Sequence, residues 1–219
     1  MKRIFSILTL LIALPGVVLA SGGSAIQLEK ANNSLADQDS LQRGAVLFSN
    51  YCMACHSTKY MRYNRIARDI GWDNETAVSE MGKNVVKPVD NVMTRMMPGV
   101  GQQVLGKTPP DLSLMARLKG TDYIYSFLRG FELDEHTGEW DNKLLKGTSM
   151  PHVLENMQRH FEPEDYMQAT RDIANYLEYV GEPAKLQRYD LGWKVLAFLL
   201  VLIILSYLLK KEYWRDVKH

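Results

Sequence analysis

The stretch YCMACHSTKY, residues 51–60, holds both cysteines of the 219-residue chain, Cys52 and Cys55, and follows them at once with His56. Residues of these types at this spacing serve three chemistries: a redox-active disulfide, half of a metal site, or covalent attachment of a heme. A thioredoxin-like pair is expected beside a βαβ pattern, which the chain lacks. Zinc needs further ligands, normally a second close pair, whereas His136, His152 and His160 stand singly and no other cysteine is present. A disulfide across two intervening residues closes so short a loop that it stabilises little. Heme suits the motif best. Two cysteines at this spacing can each form a thioether to one vinyl group of a single heme, and the adjoining histidine then lies under the iron as an axial ligand. One C-x-x-C-H motif predicts one covalently attached heme c.

The second axial ligand decides whether such a heme carries electrons or binds small molecules. Of the eleven methionines, two are followed by proline, Met97-Pro98 and Met150-Pro151. Proline after the ligand stiffens the strap that holds a thioether toward iron. Met150 is favoured, because KGTSMPH is a Gly-containing loop leading into a helix at Pro163, and that helix would pack on the first helix and clamp both ligands. Met97 is the alternative. A His/Met pair fills both axial positions, and the soft sulfur favours the ferrous state and raises the reduction potential.

These residues need elements to hold them. Asp39 or Ser40 could cap a helix running to about Asn50, with Leu41, Ala45 and Phe48 on one face, and the cysteine motif would close it. Pro163 with Glu162, Glu164 and Asp165 makes a helix start; Tyr166, Ala169, Ile173, Tyr176, Leu177 and Val180 mark its apolar stripe, and Gly181 ends it. Further helices are expected over residues 121–130, 60–70 and 75–81. Pro- and Gly-rich connections lie between them, and no sustained alternation of β-branched residues predicts a strand. The reading is an irregular, mainly α domain with long loops, of the kind that a large apolar cofactor organises. There is no internal repeat and no low-complexity segment.

The chain ends set the compartment. Lys2 and Arg3, the apolar run Ile4 to Leu14 and Val18-Leu19-Ala20 read as a secretory signal peptide over residues 1–20. Residues 21–38 form a polar lead-in arm, and residues 39–190 the heme domain. VLAFLLVLIILSYLL, from Val195 to Leu209, carries no charge; its 15 residues rise about 22 Å as a helix, short of the ~30 Å hydrocarbon core. Lys194, Trp193, Tyr213 and Trp214 extend it to both interfaces, giving a transmembrane helix over residues 193–211 in a lipid bilayer. Lys210, Lys211, Arg215 and Lys218 keep the tail, residues 212–219, cytoplasmic and place the domain on the outer side of that membrane. Residues 21–192 hold 19 Lys and Arg against 23 Asp and Glu, so nothing predicts nucleic-acid binding. The acidic stretch Glu132 to Asp141 offers a docking patch for a basic partner.

The chain resembles the cytochrome c1 family, the heme subunit of the ubiquinol–cytochrome c reductase (cytochrome bc1 complex), bacterial type. RGAVLFSNYCMACHSTKYMRYNR, PPDLSLMARLKGTDYIYSFLRGF, GTSMPHVL and the tail from YVGEPAK through the apolar run carry the resemblance. It implies a cytochrome c-like heme domain with thioethers at Cys52 and Cys55 and iron ligands His56 and Met150. It also implies Pro109 and Pro110 at the heme edge, with Arg117 and Tyr123 approaching the propionates. The implied function is one-electron transfer from the Rieske iron–sulfur protein to a soluble or membrane-bound c-type cytochrome, with the anchor beside cytochrome b and no catalysis by this chain. Glu155, where bacterial relatives tend to have tryptophan, and GQQVLGKT before PPDLS depart from the family pattern. The rival readings are an anchored heme subunit of another respiratory oxidoreductase, or a gas-binding heme sensor with an open sixth position.

Overall fold

A computed structural model describes residues 27–135 and 138–216; the expected signal peptide lies outside them. The chain is mostly helical. Its long axis of organisation is α8, Pro163–Gly181, which begins and ends where Pro163 and Gly181 predict. Proline costs nothing at the first helical position, where the missing N–H would have no partner, and Glu164 and Asp165 complement the dipole.

α1, Gln38–Leu47, packs across α8 more extensively than any other pair of elements. The crossing is close because Gly44 has no side chain. A Cβ there would sit 2.1 Å from the Asp172 carbonyl oxygen and 2.8 Å from Cβ of Tyr176. Around the contact, Asp172 accepts from Ser40 Oγ (2.7 Å), Arg43 Nε (2.7 Å) and Gln168 Nε2 (2.8 Å), so the buried carboxylate is paired. The helix starts at Asp37, whose side chain accepts from Ser40 N, and not at Asp39 or Ser40 as the sequence suggests. Ser40 cannot serve as cap because its hydroxyl is already buried against Asp172.

Beyond Leu47 the chain continues as one π-helical turn, Phe48–Cys52, with Met53 N donating to Phe48 O at 2.9 Å. Inserted residues of this kind re-aim a helix end, often at functional sites. The ring of Phe48 packs on Tyr176, centroids 5.4 Å apart, so this turn too is referenced to α8.

Then follow β1 (Thr58–Arg62), α2 (Tyr63–Ile70), α3 (Asn74–Glu80), β2 (Asn91–Val92), α4 (Val100–Leu105), α5 (Met115–Lys119) and α6 (Thr121–Arg129). β3 (Phe131–Leu133), β4 (Trp140–Asn142) and α7 (Glu155–His160) precede α8. β1 pairs antiparallel with β2, and β3 with β4. The helix expected from residue 60 therefore begins only at Tyr63, after a strand. The strands were not expected because stretches of two to five residues are too short to show a period of two. One continuous core runs through Leu41, Ala45, Phe48, Ile66, Ile70, Ile173, Tyr176 and Leu177.

The described part of the N-terminal arm is tied down. Ala31 is fully buried and its N–H donates to Asp122 Oδ1 at 2.9 Å, while Lys30 pairs with Asp122 Oδ2 at 2.8 Å. Asn33 Nδ2 donates to Glu178 Oε2 at 2.6 Å, and Thr121 and Lys185 also reach Glu178. At the other end α9, Lys185–Tyr213, leaves its apolar stretch unburied; among the described residues it is the one helix long and apolar enough to cross a membrane. It starts well before the apolar run, joined to α8 by the Arg188–Glu182 and Lys185–Glu178 pairs.

Two outcomes follow. In an exposed helix Gly→Ala gains about 1 kcal/mol, but at Gly44 the clash with backbone dominates. Gly44→Ala is expected to destabilise the heme-loaded protein by about 3 kcal/mol, read as a lower Tm; a raised Tm would show that the helices do not cross there. Hydrogen bonds from Lys30 and Ala31 hold Asp122 below the ordinary carboxylate range. Burial pushes Glu178 up, but the bonds from Asn33, Lys185 and Thr121 outweigh it and hold its carboxyl low. Both carboxylates bind protons less readily folded than unfolded. Their contribution is full above their unfolded pKa and is lost as pH falls through the lower folded values, below about pH 4. Amide exchange at Ala31 should accelerate in that window relative to amides in α8; equal protection at pH 3 and pH 7 would contradict it.

Candidate heme site

The two thiols and the imidazole share one turn. The Cys52 carbonyl accepts from both Cys55 N (3.0 Å) and His56 N (2.8 Å), which brings the three residues onto a single bend after the π turn. Neighbouring segments lace this bend from both sides. Arg95 N donates to Met53 O (3.0 Å), Thr94 Oγ1 to Ala54 O (3.0 Å) and Thr94 N to Ser57 Oγ (2.8 Å). On the opposite side Leu112 N donates to Ser57 O (2.8 Å), and Asp111 accepts from Lys59 N (3.0 Å). The PPDLS segment is thus stitched alongside the residues that follow the motif.

His56 Nδ1 lies 2.7 Å from the carbonyl oxygen of Pro110. A carbonyl can only accept, so Nδ1 carries the proton and donates, leaving Nε2 as the unprotonated nitrogen. Burial lowers the His56 pKa, against the opposing pull of the Pro110 bond and Asp111, so the ring is held neutral. A neutral imidazole fixed through one nitrogen presents the other as a metal ligand.

Cys52 is buried and its thiol is pushed up to about 12 by that burial; Cys55 is half-buried, and neither forms a disulfide. Redox-active pairs depend on a lowered thiol pKa. Burial here acts the other way. Among the described residues no group of three or more His, Cys, Asp and Glu gathers as a zinc site would require. Two reduced thiols and a neutral, oriented imidazole on one bend are a donor set that fits a covalently held heme.

The other sequence candidates are placed as follows. Pro110 meets His56 directly, and Pro109 packs on α4, where a Cβ on Gly101 would lie 2.5 Å from its Cδ. Arg117 on α5 lies against Gly181 and lines an open groove with Lys59, Tyr60, Asp111, Leu114 and Leu118. Tyr123 on α6 stacks on Phe127, with Lys119 Nζ 5.5 Å above its ring. Neither makes a hydrogen bond to the Cys-Cys-His bend. Met97 is 73% exposed. Met150 is half-buried in the loop between β4 and α7.

The acidic stretch does not stand alone. Glu132 on β3 pairs with Lys143 (3.0 Å) and Lys146 (3.2 Å), and Asp141 lies 3.7 Å from Lys146. The two lysines just beyond the stretch sit back on two of its acids, Glu132 and Asp141. Glu155 pairs with Arg159 at 2.8 Å, and Arg159 lies over Trp140.

Sequence reasoning passed over His152. Its ring stacks on Phe131 (4.6 Å, 12°), packs against Trp140 (4.7 Å) and bonds Gln158 Oε1 at 2.6 Å. Its position two residues after Met150 was the available signal.

A mainly helical domain with this thiol–imidazole bend, followed by a helix able to cross a membrane, defines a c-type cytochrome. Comparison with known proteins specifies the class further. Residues 29–217 match the Cytochrome C1 family. The chain is 40% identical to cytochrome c1 of Allochromatium vinosum, over 95% of this chain and 97% of that protein. It is 37% identical to a protein of Nitrosomonas europaea named ammonia monooxygenase gamma subunit, over 98% and 99%. With cytochrome c1 of Rhodospirillum rubrum the identity is 30% over 93% and 96%. The chain belongs to the cytochrome c1 family, c-type cytochromes of the bc1 complex that carry one covalently attached heme c and are not themselves catalytic.

Proposed function

We propose that this chain is a membrane-anchored monoheme electron carrier that accepts electrons from the Rieske iron–sulfur protein and passes them to a c-type cytochrome. The observation that carries the reading is the His56 Nδ1 bond to Pro110, which leaves Nε2 unprotonated and available to an iron. Bound heme c would supply a reversible one-electron change. Cys52 and Cys55 would hold the group as thioethers, and His56 and Met150 would supply the protein ligands to its iron, leaving no site for exogenous ligands. Burial of His56 favours its neutral form, the form able to bind iron. Pro109 and Pro110 would line the heme edge. Arg117 supplies a cation, and Tyr123 a hydroxyl, for propionates that would otherwise be costly to bury. Met150 is preferred to Met97 because it lies in a strap braced from both ends, whereas Met97 is largely exposed.

In the same reading residues 1–20 are removed on export, residues 39–190 form the periplasmic heme domain, and the span at 193–211 packs beside cytochrome b with residues 212–219 in the cytoplasm. A second reading, a heme subunit of another membrane oxidoreductase, has one observation in its favour: the Nitrosomonas relative named for ammonia monooxygenase.

Met150→Ala is expected to leave heme covalently attached and to lower the reduction potential by on the order of 100 mV, within the ~0.8 V that axial ligands command. An unchanged potential would remove Met150 from the iron. Gentle detergent purification of the wild type should recover cytochrome b and a Rieske protein, and recovery with a different oxidoreductase would favour the second reading.

A further inference from the structure

Met150 lies in a loop that has no regular structure between β4 and α7, yet a thioether ligand is useful only if it is held at one place. The loop is fixed at two points. Upstream, Gly147 takes a left-handed conformation (φ 68°) and its N–H donates to Asp141 Oδ1 at 2.9 Å, tying the strap to the β3–β4 hairpin. At Met150 itself the N–H makes only a weak hydrogen bond, to Thr148 Oγ1 at 3.4 Å. The downstream anchor is His152, 7% exposed.

His152 is held on three sides. Phe131 stacks on one face at 4.6 Å, Trp140 packs at 4.7 Å, and Gln158 Oε1 accepts from Nε2 at 2.6 Å. Gln158 is oriented in turn, since its Nε2 reaches Phe131 O (3.4 Å) and its Oε1 lies 3.4 Å from Tyr166 Oη. Tyr166 donates to Leu128 O at 2.9 Å, so the chain of contacts ends in the first turn of α8.

Only Pro151 separates this anchor from Met150. Two residues reach at most about 7 Å, the proline fixes its own φ, and it confines the residue before it to extended conformations. Few soft torsions remain between the clamped ring and the sulfur-bearing residue. We propose that His152 is a positioning residue for the axial thioether: its clamped ring sets where the Met150 strap lies. This rests on Met150 being the sixth ligand. A buried histidine with a purely structural role would alter stability alone, whereas a positioning role alters the iron's accessibility.

The test uses carbon monoxide added to the reduced, heme-loaded protein in detergent, with the far-red methionine-to-iron absorption band of the oxidised form as second readout. His152→Ala is expected to increase carbon monoxide binding about tenfold, equivalent to losing one good contact, and to weaken the band, with covalent heme per chain unchanged. His152→Phe, which refills the aromatic stack, should recover most of the wild-type behaviour. Wild-type carbon monoxide binding and band in His152→Ala would overturn the proposal, as would failure of His152→Phe to recover either. Should His152→Ala not mature, Gln158→Ala serves: it should show a smaller change of the same sign, and none would overturn the proposal. Met150→Ala separates the layers. If it binds carbon monoxide while His152→Ala does not, the positioning role fails alone; if neither binds, the Met150 assignment fails and this inference with it.

Discussion

The approach of α1 to α8 at Gly44 is the constraint on which the rest of the domain depends. Because no side chain intervenes, the helices touch through backbone, and the Asp172 carboxylate can take up Ser40, Arg43 and Gln168 beside the contact. Everything downstream of α1 inherits that position. The π turn, held by Phe48 on Tyr176, leads straight into Cys52, and the bend closed on the Cys52 carbonyl sets Cys55 and His56. Toward its N-terminus the same α8 braces Gln158 and, through it, the Met150 strap. Tyr166 and Tyr176 stand ten residues apart on α8, a rise of about 15 Å, so one rigid rod references both the Cys-Cys-His bend and the Met150 strap.

Burial does the chemical selection. A neutral imidazole with Nδ1 committed to a carbonyl is a ligand, while the same ring protonated would repel a metal. Burial also keeps the Cys52 thiol protonated, away from the thiolate character that redox pairs exploit. The charged features lie elsewhere. Glu132 and Asp141 on the β3–β4 hairpin pair with Lys143 and Lys146, exposed pairs that add little to stability.

Much of this was legible in the residues. Pro163 and Gly181 are strong punctuation and bound α8 where expected, and its packing on the first helix follows from two matching apolar stripes. The motif itself specified its cofactor chemistry because two thiols and a histidine at that spacing have few other uses. Contacts that are set in three dimensions were not legible. Gly44 reads as a helix-weakening residue until the second helix is laid across it, and Ser40 reads as a cap until Asp172 claims its hydroxyl. Short strands at Thr58–Arg62 and around the acidic hairpin have no periodicity to detect, and the lysines that pair with Glu132 and Asp141 fall just past the acidic run. The arm read as a polar lead-in, since nothing in its composition announces that Asn33 and Ala31 meet partners about ninety and more residues away.

Iron held between His56 and a methionine sulfur is the proposed centre of the molecule's chemistry. X-ray absorption at the iron edge of the purified, heme-loaded protein addresses this directly, because a thioether sulfur scatters at a longer distance than nitrogen. A nitrogen shell with a single added sulfur, lost in Met150→Ala, is the predicted result. A first shell of nitrogen and oxygen alone in the wild type would contradict it.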